Sequence, residues 1–385
     1  MAKKIIFMGT PMFAVPILKS LYQNGYPITH VYTQPPQKSQ RGQKINKSPI
    51  QGIAETLNLE FRTPKSLKNN KEEYEYIKKI DPDLAIVVAY GQIIPKEFLN
   101  LTKKGFINIH ASLLPKWRGA APIQRSIMNL DKEVGFSIMK IAEELDTGPV
   151  CNSYKIDLKD NLNASDIADK LSLIASEKIL DNIDDILEGK ANFIDQDHSK
   201  ATYAPKIQKA EGEINWNDDA KINIGKINGL YPVPGAFFIY KGERYKILKA
   251  EIGNGNGKPG EVVSNHLEVI CGDKKTIKIK EIQRQGKRPQ NVGEFMLGSR
   301  IKQGVVIWMF RYQLLIEYVG TNFRGWQVQK KGKTIQGLIQ DKISKILKEK
   351  IILFGSGRTD TGVHALEQSA HFECKKRIIN YDKFI

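Results

Sequence analysis

The chain has 385 residues, 41% hydrophobic and 26% charged, with 59 Lys and Arg against 42 Asp and Glu for a formal net charge of +17. That length exceeds the roughly 250–300 residues at which single cores stop growing, so two or three domains are expected, and whole-chain disorder, collagen and coiled coil are excluded. The basic excess attracts polyanions, unless it merely solvates the surface.

No apolar run approaches the roughly 20 residues that span a bilayer, so no membrane association is expected. Met1-Ala2-Lys3-Lys4 runs straight into a strand, which predicts no signal peptide. The three cysteines, Cys151, Cys271 and Cys374, are scattered without a CxxC pair. A disulfide framework and a thiolate metal site are therefore not expected, and a cytoplasmic setting is.

In chain order, Lys4–Gly9 reads as a strand, Gly9-Thr10-Pro11 as a turn, and 12–24 as a helix ending at Gly25. Strands are then predicted over Ile28–Thr33, Leu84–Ala89, Phe106–Ile109, Gly135–Met139 and Val150–Ile156. Their near-continuous apolar runs suit buried parallel strands in an open α/β sheet. Asn163 caps a long amphipathic helix predicted to reach Leu187 and stop at Gly189. From Asp195 to Lys209 the pattern loosens into an expected linker.

Beyond it the texture becomes short β runs: Ala236–Tyr240, Tyr245–Ala250, Glu261–Val263, Leu267–Ile270 and Thr276–Ile282, separated by Gly-rich turns. Five short strands predict a small OB-like barrel. Its Lys274, Lys275, Lys278, Lys280, Arg284, Lys287 and Arg288 suit a nucleic-acid surface, although barrels also serve as plain supports. A third texture follows: strand 311–319, a basic amphipathic helix 334–350 and a returning strand 351–354. From Met309 onward there are 14 basic and 7 acidic residues.

The sharpest chemical signal is Asn108-Ile109-His110, followed by Ala111-Ser112-Leu113-Leu114-Pro115. Residues two apart on a strand share a face, so Asn108 and His110 point the same way near a strand's C-terminal end, where open sheets bind ligands. Asp146, in Leu145-Asp146-Thr147-Gly148, adds a carboxylate in a loop before the next strand. A lone histidine reads as a satisfied core residue and an aspartate as a turn. The Asn-x-His pair with this turn reads instead as direct transfer to an external nucleophile. The amide would donate to a developing oxyanion, the imidazole would donate or carry a proton, and the carboxylate would orient the imidazole.

These residues, with Phe7-Met8-Gly9-Thr10-Pro11, Ala89-Tyr90-Gly91-Gln92-Ile93-Ile94-Pro95, Ala201-Thr202-Tyr203-Ala204-Pro205-Lys206-Ile207 and Asn228-Gly229-Leu230-Tyr231-Pro232, make residues 1 to about 308 resemble the methionyl-tRNA formyltransferase family. The resemblance implies an open, mainly parallel, Rossmann-like α/β sheet over 1–189, a linker over 190–209 and an OB-like domain over 210–308. The activity it implies is formyl transfer from 10-formyltetrahydrofolate to the amino group of methionyl-initiator tRNA, in a monomer without metal. In that family the catalytic trio corresponds to Asn108, His110 and Asp146. The folate site corresponds to Ser112, Leu113, Leu114 and Pro115, with Tyr90, Gly91 and Gln92 lining the pocket. A basic loop gripping the tRNA acceptor end corresponds to Arg41, Lys44 and Lys47. Trp117-Arg118 could face substrate or pack structurally. A formyltransferase for a small-molecule amine is the alternative.

The last segment, 309–385, resembles the start of the tRNA pseudouridine synthases through Gly355-Ser356-Gly357-Arg358-Thr359-Asp360-Thr361-Gly362-Val363-His364-Ala365. In that family the aspartate, here Asp360, attacks uridine and the neighbouring arginine, here Arg358, engages RNA. Those enzymes need a longer chain, so a short α+β appendage is expected, a truncated fusion without isomerase activity. A bifunctional protein is the alternative.

Overall fold

The computed structural model describes residues 3–39, 44–158, 162–307, 310–329 and 331–374, together with positions 378, 381 and 384. The chain divides into two units. The first takes residues up to Ile214 with Lys221–Ala236 and Ile247–Lys249; the second takes Asn215–Ala220, Phe237–Lys246 and the residues from Ala250 onward.

The first unit is built on a seven-stranded sheet. Its spatial order is Val150–Asp157, Glu133–Lys140, Phe106–His110, Leu84–Val88, Ile5–Gly9, Ile28–Tyr32 and Glu60–Arg62. The last five are parallel. The apolar runs predict this, because both faces are covered. Ile5, Phe7, Leu84, Ile86 and Ile107 join one core with the helices Val15–Gln23 and Ala164–Lys178. Ile6, Met8, Ala85, Val87 and Phe106 join the other with Lys71–Ile80 and Lys96–Leu99.

The two strands at one end of the sheet depart from the parallel pattern: Glu133–Lys140 runs antiparallel to Phe106–His110, and the edge strand Val150–Asp157 antiparallel to Glu133–Lys140. The connection 141–149 is too short for a helical crossover, so the chain returns by reversing direction. The strand Glu60–Arg62 and the helices Pro49–Thr56, Lys71–Ile80, Lys96–Leu99 and Pro122–Met128 are among the elements that periodicity left out.

The helix expected over 163–187 divides at Ile179 into Ala164–Lys178 and Leu180–Glu188. The Asn182 side chain takes the Lys178 carbonyl at 2.6 Å, displacing the backbone N–H that would continue the helix. Asn182 N bonds Ile179 O instead, as in a 3₁₀ turn. At its start Asn163 and Asp166 form the expected reciprocal cap.

The second unit carries a five-stranded sheet. Ala236–Tyr240, Glu243–Asn254, Lys275–Arg284 and Glu268–Ile270 lie in that order, and Gln290–Asn291 pairs with Lys275–Arg284. Glu261–Val263 is not a strand; Glu261 and Val262 make only isolated bridges, to Val306 and Val269. The tight turn at Gly260, with φ of 80°, keeps this stretch from extending.

The tail is an α+β element with a three-stranded antiparallel sheet, in the order Phe310–Tyr318, Ala365–Cys374, Leu353–Gly355. The helix Ile335–Leu347 packs on it through Ile335, Ile343 and Leu347 against Leu353, Ala370 and Phe372. Among the described residues no helix is long and apolar enough to cross a membrane.

Candidate active site

Asn108 and His110 lie at the C-terminal end of the Phe106–His110 strand, and the pleat turns both side chains to one face. The neighbouring strand Leu84–Val88 is parallel and in register, Val87 opposite Asn108. The loop that leaves it at Ala89 therefore emerges beside the same strand end. Asn108 is half-buried, and among the described residues its side-chain amide makes no hydrogen bond.

His110 is 7% exposed and held from both sides. Its Nδ1 lies 3.6 Å from Asp146 Oδ2, and its Nε2 lies 3.0 Å from the Trp117 carbonyl. Asp146 sits at φ 51°, in the left-handed region, and its Oδ2 also accepts from Gly119 N at 2.8 Å. Gly119 is itself constrained. At φ 123°, an added Cβ would come within 2.7 Å of Ala204 O, so only glycine lets the Arg118–Gly119 segment pair with Tyr203–Ala204. Gly148, two residues past Asp146, is likewise pressed on Lys140, where a Cβ would meet the carbonyl oxygen at 1.9 Å.

The Ser112–Pro115 segment is pinned to the adjacent strand through Ser137. Ser137 Oγ donates to Ser112 O at 2.8 Å and accepts from Leu114 N at 3.1 Å. The Ser112 hydroxyl is buried and turned inward, donating to Lys116 O at 2.6 Å. Leu113, Leu114 and Pro115 are half-buried.

Tyr90 contributes its backbone at this end of the sheet, because its ring is 1% exposed in the core with Tyr32 and Phe98. Burial holds its phenol well above the ordinary range. The Tyr90 carbonyl accepts from Thr10 Oγ1 and Gln34 Nε2, and Gly91 O accepts from Gln34 Nε2 as well. Gln92 Nε2 donates to Pro64 O at 2.8 Å, while Gln92 Oε1 is buried without a partner among the described residues.

Arg118 packs structurally: it is 2% exposed and bonded to Gln196. The stretch expected as a linker is a strap against the site. Trp117 N donates to Thr202 Oγ1 and Arg118 N to Thr202 O, each at 2.9 Å, and Arg125 forms a two-pronged ion pair with Glu211. Gln196 has no local signal in the sequence, since Arg118, Asp146 and Gly148 lie 78, 50 and 48 positions away; Thr202 lies in the Ala201–Ile207 motif, but that motif does not name its partner, Trp117.

Of the basic loop, Arg41 and the Lys44 side chain lie outside the described residues; Lys44 begins the short strand Lys44–Asn46, paired with Gln37–Ser39. Lys47 is exposed and forms an ion pair with Glu55 at 2.9 Å. In the second unit, Lys275, Lys278, Lys280 and Arg284 are paired with carboxylates. Lys274, Lys287 and Arg288 have no ion-pair partner among the described residues. Lys287 and Arg288 border a cleft of about 720 Å³ shared with Tyr240, Lys241, Arg284 and Arg300. In the tail, Arg358 and Asp360 are exposed, and between them Thr359 is fixed by Trp326 N and the Tyr318 hydroxyl.

Residues 3–183 match the family described as Formyl transferase, residues 206–300 its C-terminal domain, and residues 314–384 the family described as tRNA pseudouridine synthase. A methionyl-tRNA formyltransferase of Pelagibacter ubique (strain HTCC1062) is 70% identical over 304 residues, covering 79% of this chain and 98% of the relative. Another, of Chelativorans sp. (strain BNC1), is 40% identical over 309 residues, covering 79% and 99%. Among solved structures, the N-formyltransferase of Helicobacter canadensis, in complex with folinic acid and dTDP-3-aminofucose, aligns with a TM-score of 0.58 at 19% identity, over 72% of this chain and 99% of that one. That likeness speaks for the fold alone. With nearly the whole length of a 70%-identical relative covered, the chain belongs to the methionyl-tRNA formyltransferase family.

Proposed function

We propose that the protein transfers a formyl group from 10-formyltetrahydrofolate to the amino group of methionyl-initiator tRNA, with Asn108, His110 and Asp146 as the working side chains. The observation that carries the assignment of residues is the convergence of His110 on Asp146 beside an Asn108 amide that makes no hydrogen bond among the described residues. The formyl donor supplies a carbonyl already activated by its bond to nitrogen, so no covalent enzyme intermediate is needed. The new C–N bond forms at the formyl carbon, the old one breaks, and the amine proton ends on the departing nitrogen. The Asn108 amide donates to the oxygen that gains charge; the His110 Nε2–H, held by the Trp117 carbonyl in the free protein, joins it by exchanging that carbonyl for the formyl oxygen, and Asp146 keeps the ring oriented and assists proton removal.

The residues present fit a folate. Gln92 Oε1 is a buried acceptor with no partner among the described residues, in the loop beside Asn108, and suits a ligand edge rich in N–H donors. Leu113, Leu114 and Pro115 offer apolar surface on the other segment that borders the strand end. For tRNA, Lys287 and Arg288, which have no ion-pair partner among the described residues, suit phosphate contacts, which position rather than read sequence; Arg41, Lys44 and Lys47 are proposed for the acceptor end. The protein is proposed to act as a monomer in the cytoplasm.

The test is a formylation assay with 10-formyltetrahydrofolate and methionyl-initiator tRNA beside an Asn108→Ala control. Product that depends on Asn108 supports the assignment. Folded protein that formylates only free small amines replaces it with the small-substrate reading.

A further inference from the structure

Asp146 occupies a backbone conformation that costs a non-glycine residue about 1 kcal/mol or more, so its neighbours must hold it there. The hydrogen bonds show what does. Gln196, 8% exposed, sends both amide hydrogens into the Asp146 turn: Nε2 donates to Asp146 O at 2.9 Å and to Gly148 O at 2.7 Å. Its Oε1 accepts from Arg118 Nε at 3.1 Å and from Nη2 at 2.8 Å. The amide's orientation follows from these neighbours, since guanidinium hydrogens require an oxygen and carbonyls require hydrogens.

The unusual member is Arg118. A guanidinium buried to 2% exposure is ordinarily matched by a carboxylate, because an uncompensated buried charge is costly. Among the described residues no carboxylate lies within ion-pair distance of it; its only other side-chain partner is His198 Nδ1, at 3.4 Å from both terminal nitrogens. The charge is directed onto the Gln196 carbonyl. A cation on an amide oxygen polarises the amide and strengthens its N–H groups as donors. Those donors are the two that grip the Asp146 turn.

We infer that Gln196 is a positioning residue for formyl transfer: polarised by the buried Arg118, its amide clamps the Asp146–Gly148 turn and thereby aims the Asp146 carboxylate at His110. The inference rests on the reading of Asp146 as a working group. It also explains why the segment after Asp195 must fold back. The same strap supplies Ala204, the partner of Gly119, whose N–H holds the Asp146 carboxylate from the other side.

The discriminating substitution is Gln196→Glu. A glutamate still meets Arg118, now as an ion pair, so the fold keeps its buried charge compensated. It loses both donors and sets an oxygen against the two turn carbonyls. The experiment uses the full chain and follows steady-state formylation, tetrahydrofolate binding, thermal unfolding and the ring-nitrogen NMR signals of His110 in ¹⁵N-histidine-labelled protein. The expected result is a kcat lowered about 10- to 100-fold. Folate affinity and both KM values stay near wild type, the melting temperature falls less than in Gln196→Leu, and the His110 signal moves as it does in Asp146→Asn.

In an Asp146→Asn background, Gln196→Glu should cost nothing further, because the two act as one unit. Unchanged kcat in Gln196→Glu overturns the inference, as does an equal second loss on top of Asp146→Asn. A His110 signal that shifts in both variants while wild-type protein transfers no formyl group keeps the clamp and overturns the functional reading. Gln196→Leu, which leaves Arg118 uncompensated, should lower the melting temperature in addition; stability equal to wild type in that variant overturns the role given to Arg118.

Discussion

His110 and Trp117 are joined across a tight bend, ring Nε2 to main-chain carbonyl at 3.0 Å, and that bond fixes the plane in which the opposite ring nitrogen faces Asp146. The imidazole is therefore set by two oxygens from different loops rather than by packing alone. Trp117 can serve because it is locked in turn: its indole Nε1 donates to Asp131 Oδ2 at 2.7 Å and its N–H to Thr202 Oγ1 at 2.9 Å.

His110→Ala should lower formyl transfer by about 10²–10⁴-fold, the range for losing a positioned acid–base group. Binding of methionyl-initiator tRNA, measured by filter retention, should stay near wild type. Equal loss of turnover and binding would make His110 a structural residue.

The Arg125–Glu211 pair is expected to be a stability element with a defined pH window. Arg125 hydrogen bonding holds the Glu211 carboxyl below the ordinary carboxylate range. A depressed folded-state value means stability that is present above the unfolded-state value of about 4.3 and is lost as pH falls through the folded-state value. Glu211→Gln should thus cost about 1 kcal/mol at pH 7, and the gap from wild type should close below about pH 4. Urea unfolding across pH 3–7 measures both; a constant gap would assign the loss to packing.

Lys287 and Arg288 are the cations to remove when testing whether the second unit touches tRNA, because neither is tied to a carboxylate among the described residues. Lys287→Ala with Arg288→Ala should reduce the slope of log affinity against log salt by about 2, close to 0.9 for each phosphate that is no longer neutralised. KM for the tRNA should rise while kcat holds. A slope unchanged in the double variant would reduce this face to solvated surface.

For the tail, the expectation is that Asp360→Ala leaves formyl transfer unaffected and that the wild-type chain converts no uridine in a tRNA transcript. Conversion that Asp360→Ala abolishes would establish a second active site, since Asp360 is exposed and its side chain has no partner among the described residues.

The sequence alone determined those features whose causes lie within a few positions. The buried parallel strands are legible because their apolar runs are continuous, and Asn108 and His110 share a face because pleating has a period of two. The family is legible because its motifs keep their order along the chain.

The tertiary structure alone decided what depends on distant partners. Nothing local distinguishes Gln196 in a loose stretch from any linker glutamine; its meaning comes from Arg118 and Asp146, 78 and 50 positions away. Tyr90 sits in a lining motif yet turns its ring into the core, because the space beneath the sheet beside Tyr32 and Phe98 accepts an aromatic. Likewise Lys278 and Lys287 look alike in a basic stretch, and only the fold pairs the first with Glu268 and leaves the second without a carboxylate among the described residues. Periodicity records which way a residue faces, while the identity of what it meets is set by where the chain returns.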